Sequence, residues 1–177
     1  MASDFQRSKI ARVFAAMDAD GDGYLTEGDF RALTARWITL RGDGDHTRLT
    51  TVMMGWWATL RDAAGTGQVA IDDVLTVVDQ LGQMPQAVTG TAEAMFEAVD
   101  ENTDGRISPA EYRQLIEAWN GRETDTSEVF TLLDLNQDGY LSRSEFTGHW
   151  TEFWAGDNPA APGSWVFGSF PVGVGQD

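Results

Sequence analysis

The chain has 177 residues, with 28 acidic against 12 basic side chains and a formal net charge of −16. A surface of that sign repels nucleic acid and anionic membranes and attracts cations. The absence of cysteine excludes disulfides, thiolate metal sites and cysteine catalysis. Seven Trp, nine Phe and three Tyr supply enough apolar volume for a core, so the acidity does not mark disorder. The first residues, Met1, Ala2, Ser3 and Asp4, form no basic apolar leader, Ala2 stands where myristoylation needs Gly, and no apolar run approaches a membrane span. These features predict a cytoplasmic monomer with no membrane association. Eleven Arg against the single Lys9 are a weak hint of a GC-rich bacterial genome.

Four Asp-rich, Gly-containing segments begin at Asp18, Asp62, Asp100 and Asp134, each between two stretches of helical periodicity. In the first unit Ile10, Val13, Phe14 and Met17 lead in, and Phe30, Leu33 and Trp37 lead out; Arg41 to Asp45 form a linker. The second unit has Met54, Trp57 and Leu60 before its loop and Val74, Val77, Val78 and Leu81 after it. Gly82 and Pro85 then stop the helix and divide the halves. The third unit runs from Met95, Phe96 and Val99 to Tyr112, Leu115, Ile116 and Trp119, ending at Asn120 and Gly121. The fourth runs from Val129, Phe130 and Leu133 to Phe146, Trp150 and Phe153. Each set lies on one helical face, which by itself signifies core packing. The tail after Gly156 is rich in Gly and Pro but carries Trp165, Val166, Phe167 and Phe170, so it is expected to fold back on the body. The predicted fold is all-α. Four helix–loop–helix units form two paired lobes, 1–82 and 83–155, with short β pairing between loops and an apolar tail over 156–177.

Three loops place oxygen-bearing residues at positions 1, 3, 5 and 12 of a twelve-residue segment with Gly at position 6. The first has Asp18, Asp20, Asp22 and Asp29; the third has Asp100, Asn102, Asp104 and Glu111; the fourth has Asp134, Asn136, Asp138 and Glu145. This is the EF-hand calcium pattern. A hard cation of this size takes six to eight oxygens, more than one turn can present. Alternate positions point carboxylates inward, Gly permits the tight reversal, and the carbonyls of Tyr24, Arg106 and Tyr140 at position 7 add a backbone oxygen. Position 9 holds Thr26, Ser108 and Ser142, which either contact the ion, directly or through water, or cap the following helix; the two roles are compatible. Position 8 is apolar throughout (Leu25, Val69, Ile107, Leu141), the alternation of a short strand that pairs loop one with two and three with four.

Two departures matter. Asp29 is one methylene shorter than Glu, which makes bidentate closure harder and shifts the first loop toward Mg2+. In the second loop, Asp62 to Asp73, Ala64 and Thr66 occupy positions 3 and 5 and Ala70 position 9, so it should not bind and should serve as partner to the first.

Four units over this length, with the second degenerate, the pair Trp56 and Trp57 in the second entering helix and a long first exiting helix through Arg36, Trp37 and Leu40, resemble the sarcoplasmic calcium-binding proteins and the related calerythrin. The resemblance runs to about Trp154. It implies about three bound Ca2+ ions, tightly packed halves, and a buffering or signalling role in the cytoplasm. The alternative is a sensor that exposes an apolar groove to a protein target. Five Met residues beyond the initiator are too few for an adaptable Met-rich groove, which favours the buffer. No enzymatic activity is expected: His46 and His149, the only histidines, have no nucleophile or ligand companion at a telling spacing and read as surface or helix-end residues. Replacing Asp62 or Asp73 with Asn is expected to leave calcium stoichiometry unchanged in a calorimetric titration; a drop would mean that the second loop binds.

Overall fold

Helix starts and stops follow the sequence signals closely. The computed structural model describes residues 3–81, 83–121 and 123–167. Among these it contains eight helices: α1 (Asp4–Met17), α2 (Glu27–Arg41), α3 (Thr47–Ala64), α4 (Ile71–Leu81), α5 (Pro85–Val99), α6 (Pro109–Asn120), α7 (Ser127–Leu133) and α8 (Arg143–Ala155). The hydroxyls of Ser3, Ser108 and Ser142 accept the third amide of α1, α6 and α8, the usual remedy for free N–H groups at a helix start. Gly121, at φ +71°, ends α6 in the left-handed conformation that Gly adopts without steric cost.

The loops pair as their apolar eighth positions require. Strand β1 (Arg106–Ile107) runs antiparallel to β2 (Leu141–Ser142), with Ile107 opposite Leu141 and Arg106 opposite Ser142. Leu25 and Val69 exchange backbone hydrogen bonds of 2.8 and 2.9 Å across the first pair. All four apolar side chains are buried.

Within each half, helices pack in sequence around their loops; across the halves, α2 packs on α6, α3 on α5, α1 on α6 and α4 on α8. One continuous apolar cluster therefore runs from Ile10 to Phe167, through the fully buried Trp37, Trp119 and Trp150. Three side chains make polar contacts across this junction in one form. Helices α5, α6 and α8 have no basic residue in their last turn, and cations from the first half cap their terminal carbonyls. Arg36 donates to Ala118 (2.9 Å) and Trp119 (3.1 Å) of α6. Arg41 donates to Ala98 and, at 3.3 Å, to Val99 of α5. Lys9 donates to Phe153 (2.7 Å), Gly156 (3.0 Å) and Glu152 (3.4 Å) at the end of α8, with Gln6 beside it reaching Trp154 at 2.8 Å.

After α8 the chain makes a 3-10 turn (Pro162–Trp165) against α7 and α8. Val166 and Phe167 are buried, and the Phe167 ring sits 4.8–5.8 Å from those of Phe153, Trp119, Trp150 and Trp154. Tyr112 donates its hydroxyl to the Val166 carbonyl at 3.0 Å. Gly163 lies where a Cβ would come within 2.5 Å of the His149 carbonyl, so this approach needs Gly. Gly82 and Phe170, both singled out in the sequence, lie outside the described residues.

One expectation needs correction. His149 is not a surface residue: it is 2 % exposed, and Nε2 donates to the Leu133 carbonyl at 2.7 Å. That carbonyl ends the helix leading into the fourth loop. His46, by contrast, is a half-buried helix-end residue with its ring nitrogen 2.8 Å from the Gly42 carbonyl.

Lys9 yields a pH prediction. Burial pushes its ammonium down from 10.5 to about 8, against the opposing pull of Asp157 and Glu152. The unfolded chain then holds the proton more tightly than the folded one, so the desolvation cost is fully present below about 8 and vanishes above 10.5. Stability relative to a Lys9→Met variant should therefore rise between pH 8 and pH 10 in paired denaturant titrations. A constant difference would show that the carbonyls hold the ammonium as strongly as water does.

Candidate metal centre

The entering helices α1, α5 and α7 all stop one residue short of the first loop acid, at Met17, Val99 and Leu133. From there the three loops repeat one hydrogen-bond scaffold. At position 1, Asp18, Asp100 and Asp134 each accept the amide of the position 6 Gly (Gly23, Gly105, Gly139) at 2.8–2.9 Å and that of position 5 at 3.2–3.3 Å. At position 3, Asp20, Asn102 and Asn136 accept the position 5 amide at 3.2 Å. Position 5 (Asp22, Asp104, Asp138) accepts from the amides of Tyr24, Arg106 and Tyr140 at 2.9–3.1 Å. Backbone amides thus hold each of these side chains with one edge toward the loop.

The geometry demands positive φ twice per loop. Gly23, Gly105 and Gly139 lie at +83° to +87°. Position 4 is also left-handed: Gly21 (+70°), Thr103 (+56°) and Gln137 (+58°). A β-branched Thr is uncommon there, so the scaffold imposes the conformation.

At position 12 the closing acid ties the loop's two ends together. Glu111 accepts from Glu101 (3.1 Å) and Ser108 (2.8 Å); Glu145 accepts from Leu135 (2.8 Å) and Ser142 (3.0 Å). Asp29 makes the same pair of bonds, to Ala19 (3.0 Å) and Thr26 (2.8 Å), despite its shorter stem. The first and fourth loops differ in which oxygens converge, and the acids of the third, Glu111 included, form no such set among the described residues. Carboxylate oxygens of Asp134, Asp138 and Glu145 lie within 4.8 Å of one another, as do those of Asp18, Asp20 and Asp22; Asp29 is not in the latter set. The first loop therefore gathers three acids without its closing residue, whereas the fourth includes it.

Electrostatics separate the loops further. At Asp20 the Asp22 amide lowers the carboxyl pKa, but desolvation, the hydrogen bond to Asp18 and the charges of Asp22 and Asp29 outweigh it and leave it raised. Crowded carboxylates of this kind favour a cation that neutralises them. At Asp104, desolvation raises the carboxyl pKa, and the Arg106 amide and guanidinium (3.3 Å) overcome it, leaving it lowered. The same guanidinium lies 3.7 Å from the centre of the Tyr140 ring, joining position 7 of the third loop to position 7 of the fourth. Sequence reasoning assigned Arg106 only a carbonyl. Its side-chain role had a signal, a cation facing an aromatic at the same position of paired loops.

The second loop lacks this scaffold for a reason visible in the backbone. Helix α3 does not stop before Asp62 but continues through Ala64, and Gly65, at φ +73°, ends it. Asp62 is thus a helical, exposed residue paired with its neighbour Arg61 at 3.2 Å. Only the far end survives, where Asp73 accepts the Ala70 amide at 2.9 Å.

Residues 90–151 match the EF-hand domain pair family, and residues 10–34 match the EF hand family; the two stretches contain the first, third and fourth loops. The sarcoplasmic calcium-binding protein alpha-B and -A chains of Penaeus sp. are 25 % identical over 174 residues, 88 % of this chain and 91 % of the relative. The coelenterazine-binding protein of Renilla muelleri, solved in its calcium-loaded apo form, superposes with a TM-score of 0.73 at 20 % identity, covering 96 % of this chain and all of that one. An amphioxus sarcoplasmic calcium-binding protein superposes with a TM-score of 0.68 at 18 % identity, covering 97 % and 100 %. Residues 10–34 and 90–151 therefore carry EF hands, on a chain that has the fold of sarcoplasmic calcium-binding proteins and photoproteins and resembles the former in sequence over most of its length.

Proposed function

We propose that this protein binds about three Ca2+ ions and acts as a cytoplasmic calcium buffer without enzymatic activity. The first ion is held by Asp18, Asp20, Asp22, the Tyr24 carbonyl and Asp29; the second by Asp100, Asn102, Asp104, the Arg106 carbonyl and Glu111; the third by Asp134, Asn136, Asp138, the Tyr140 carbonyl and Glu145. The observation that carries this reading is the amide scaffold repeated in these three loops, with an all-oxygen donor set suited to a hard cation. The first loop, with four carboxylates and a retracted closing acid, is the one most open to Mg2+.

The buffer role follows from how the halves use their apolar faces. They bury them against each other and under the Trp165 to Phe167 segment. Among the described residues, the large apolar side chains left exposed lie at four places along the chain: Tyr24, Leu40, Met84, and the pair Leu132 and Leu135. A sensor role is favoured by one feature, an apolar cavity of about 60 Å³ in the first half between α1, α3 and α4, with Trp154 of α8 in its wall.

Two measurements test these statements. Glu111→Gln and Glu145→Gln should each weaken one binding step at least tenfold, about 1.4 kcal/mol or more, in calorimetric titration. An unchanged titration would remove that loop from the assignment. An apolar fluorescent dye, followed with and without calcium at constant magnesium, should brighten little; a large calcium-dependent rise would replace the buffer with the sensor.

A further inference from the structure

We propose that Arg36 and Arg41 are positioning residues that couple the first loop to the third, so that a cation in one raises the affinity of the other. The proposal rests on the assignment of both loops as calcium sites. One helix, α2, carries both arginines and grips both helices of the third unit. Arg41 caps the end of α5, whose last carbonyls belong to Ala98 and Val99, immediately before Asp100. Arg36 caps the end of α6 at Ala118 and Trp119. The entering and exiting helices of the third loop are therefore referred to a single external body.

That body answers to the first loop. Asp29, its closing acid, lies in the first turn of α2, about 10 Å along the axis from Arg36 and about 18 Å from Arg41 at 1.5 Å per residue. An ion that fixes Asp29 fixes the start of α2, and the helix carries that orientation to both clamps. The planar guanidinium of Arg36 is suited to the task, because Nε and Nη2 reach two adjacent carbonyls in a fixed fork, whereas Arg41 reaches its two through Nη2. Linkage makes the effect reciprocal, so occupancy of the third loop must favour the first by the same factor. Arg41 also lies in the field of Glu101, Glu111 and Asp100, so its charge alone alters the third site. The coupling, rather than the affinity, is therefore the diagnostic quantity.

Three amides make the test site-resolved. Gly23, Gly105 and Gly139 donate to the first acid of loops one, three and four, so their NMR resonances report each loop during a calcium titration. The Gly105 midpoint is compared with and without Asp18→Asn in three backgrounds: the parent, Arg36→Lys with Arg41→Lys, and Arg36→Met with Arg41→Met. In the parent, Asp18→Asn should weaken the third site about fivefold or more. The shift should fall by at least half in the lysine pair, which keeps the charge but not the fork, and should be lost in the methionine pair. Far-UV circular dichroism confirms folding, and the lysine pair carries the test if the methionine pair does not fold. No shift in the parent, or an equal shift in all folded backgrounds, overturns the coupling while leaving the sites intact. A Gly23 or Gly105 resonance indifferent to calcium instead overturns the assignment of that loop.

Discussion

The junction between the halves depends on helix ends that one half leaves uncapped and the other satisfies. Helices α5, α6 and α8 end in carbonyls with no basic residue of their own nearby, and Arg41, Arg36 and Lys9 reach across to them. A buried carbonyl without a donor costs free energy comparable to a lost hydrogen bond, and the helix dipole adds attraction for a cation. The donors sit on α1 and α2 and the acceptors on α5, α6 and α8, so these contacts form only when the two sets of helices meet. This constraint sets which faces meet, and the aromatic core then fills the space between them.

Within that frame the loops divide by where their entering helix stops. Three helices end one residue before the first acid, leaving position 1 free to turn inward and collect amides. Helix α3 runs three residues further and absorbs Asp62 into its own backbone bonding. Ala63 and Ala64 favour that extension, since Ala has the highest helix propensity. The residue changes that remove ligands from the second loop thus also remove the backbone conformation that would present them. What survives is the backbone exchange between Val69 and Leu25, which keeps the first loop paired.

The segment after α8 adds apolar material where four aromatic rings from α6 and α8 converge. Phe167 contacts all four, and burying a Phe side chain contributes about 1.5–3 kcal/mol. Glu152 links this segment to the helix it covers, accepting the Gly163 amide at 2.7 Å while its oxygen lies 3.6 Å from His149 Nδ1. His149 in turn holds the Leu133 carbonyl next to the fourth loop. The tail and that loop therefore share one helix face as support.

Much of this was legible in the residues. Loop positions, helix faces, the Leu25–Val69 and Ile107–Leu141 pairing and the divergence of the second loop all follow from local rules: ligand spacing, 3.6-residue periodicity and Gly at a tight reversal. These act over a dozen residues at most, so one stretch of chain contains all the information. What the residues could not disclose is non-local. That Arg36, Arg41 and Lys9 cap helices 57 to 147 positions away, that His149 is buried, and that Arg106 balances Asp104 against Tyr140 depend on how whole helices come together. The sequence by itself determined where the loops with ligand spacing lie, because that spacing is written in consecutive residues. Only the tertiary structure decided how those loops are held relative to one another, because a cation and the carbonyls it caps need share no local pattern.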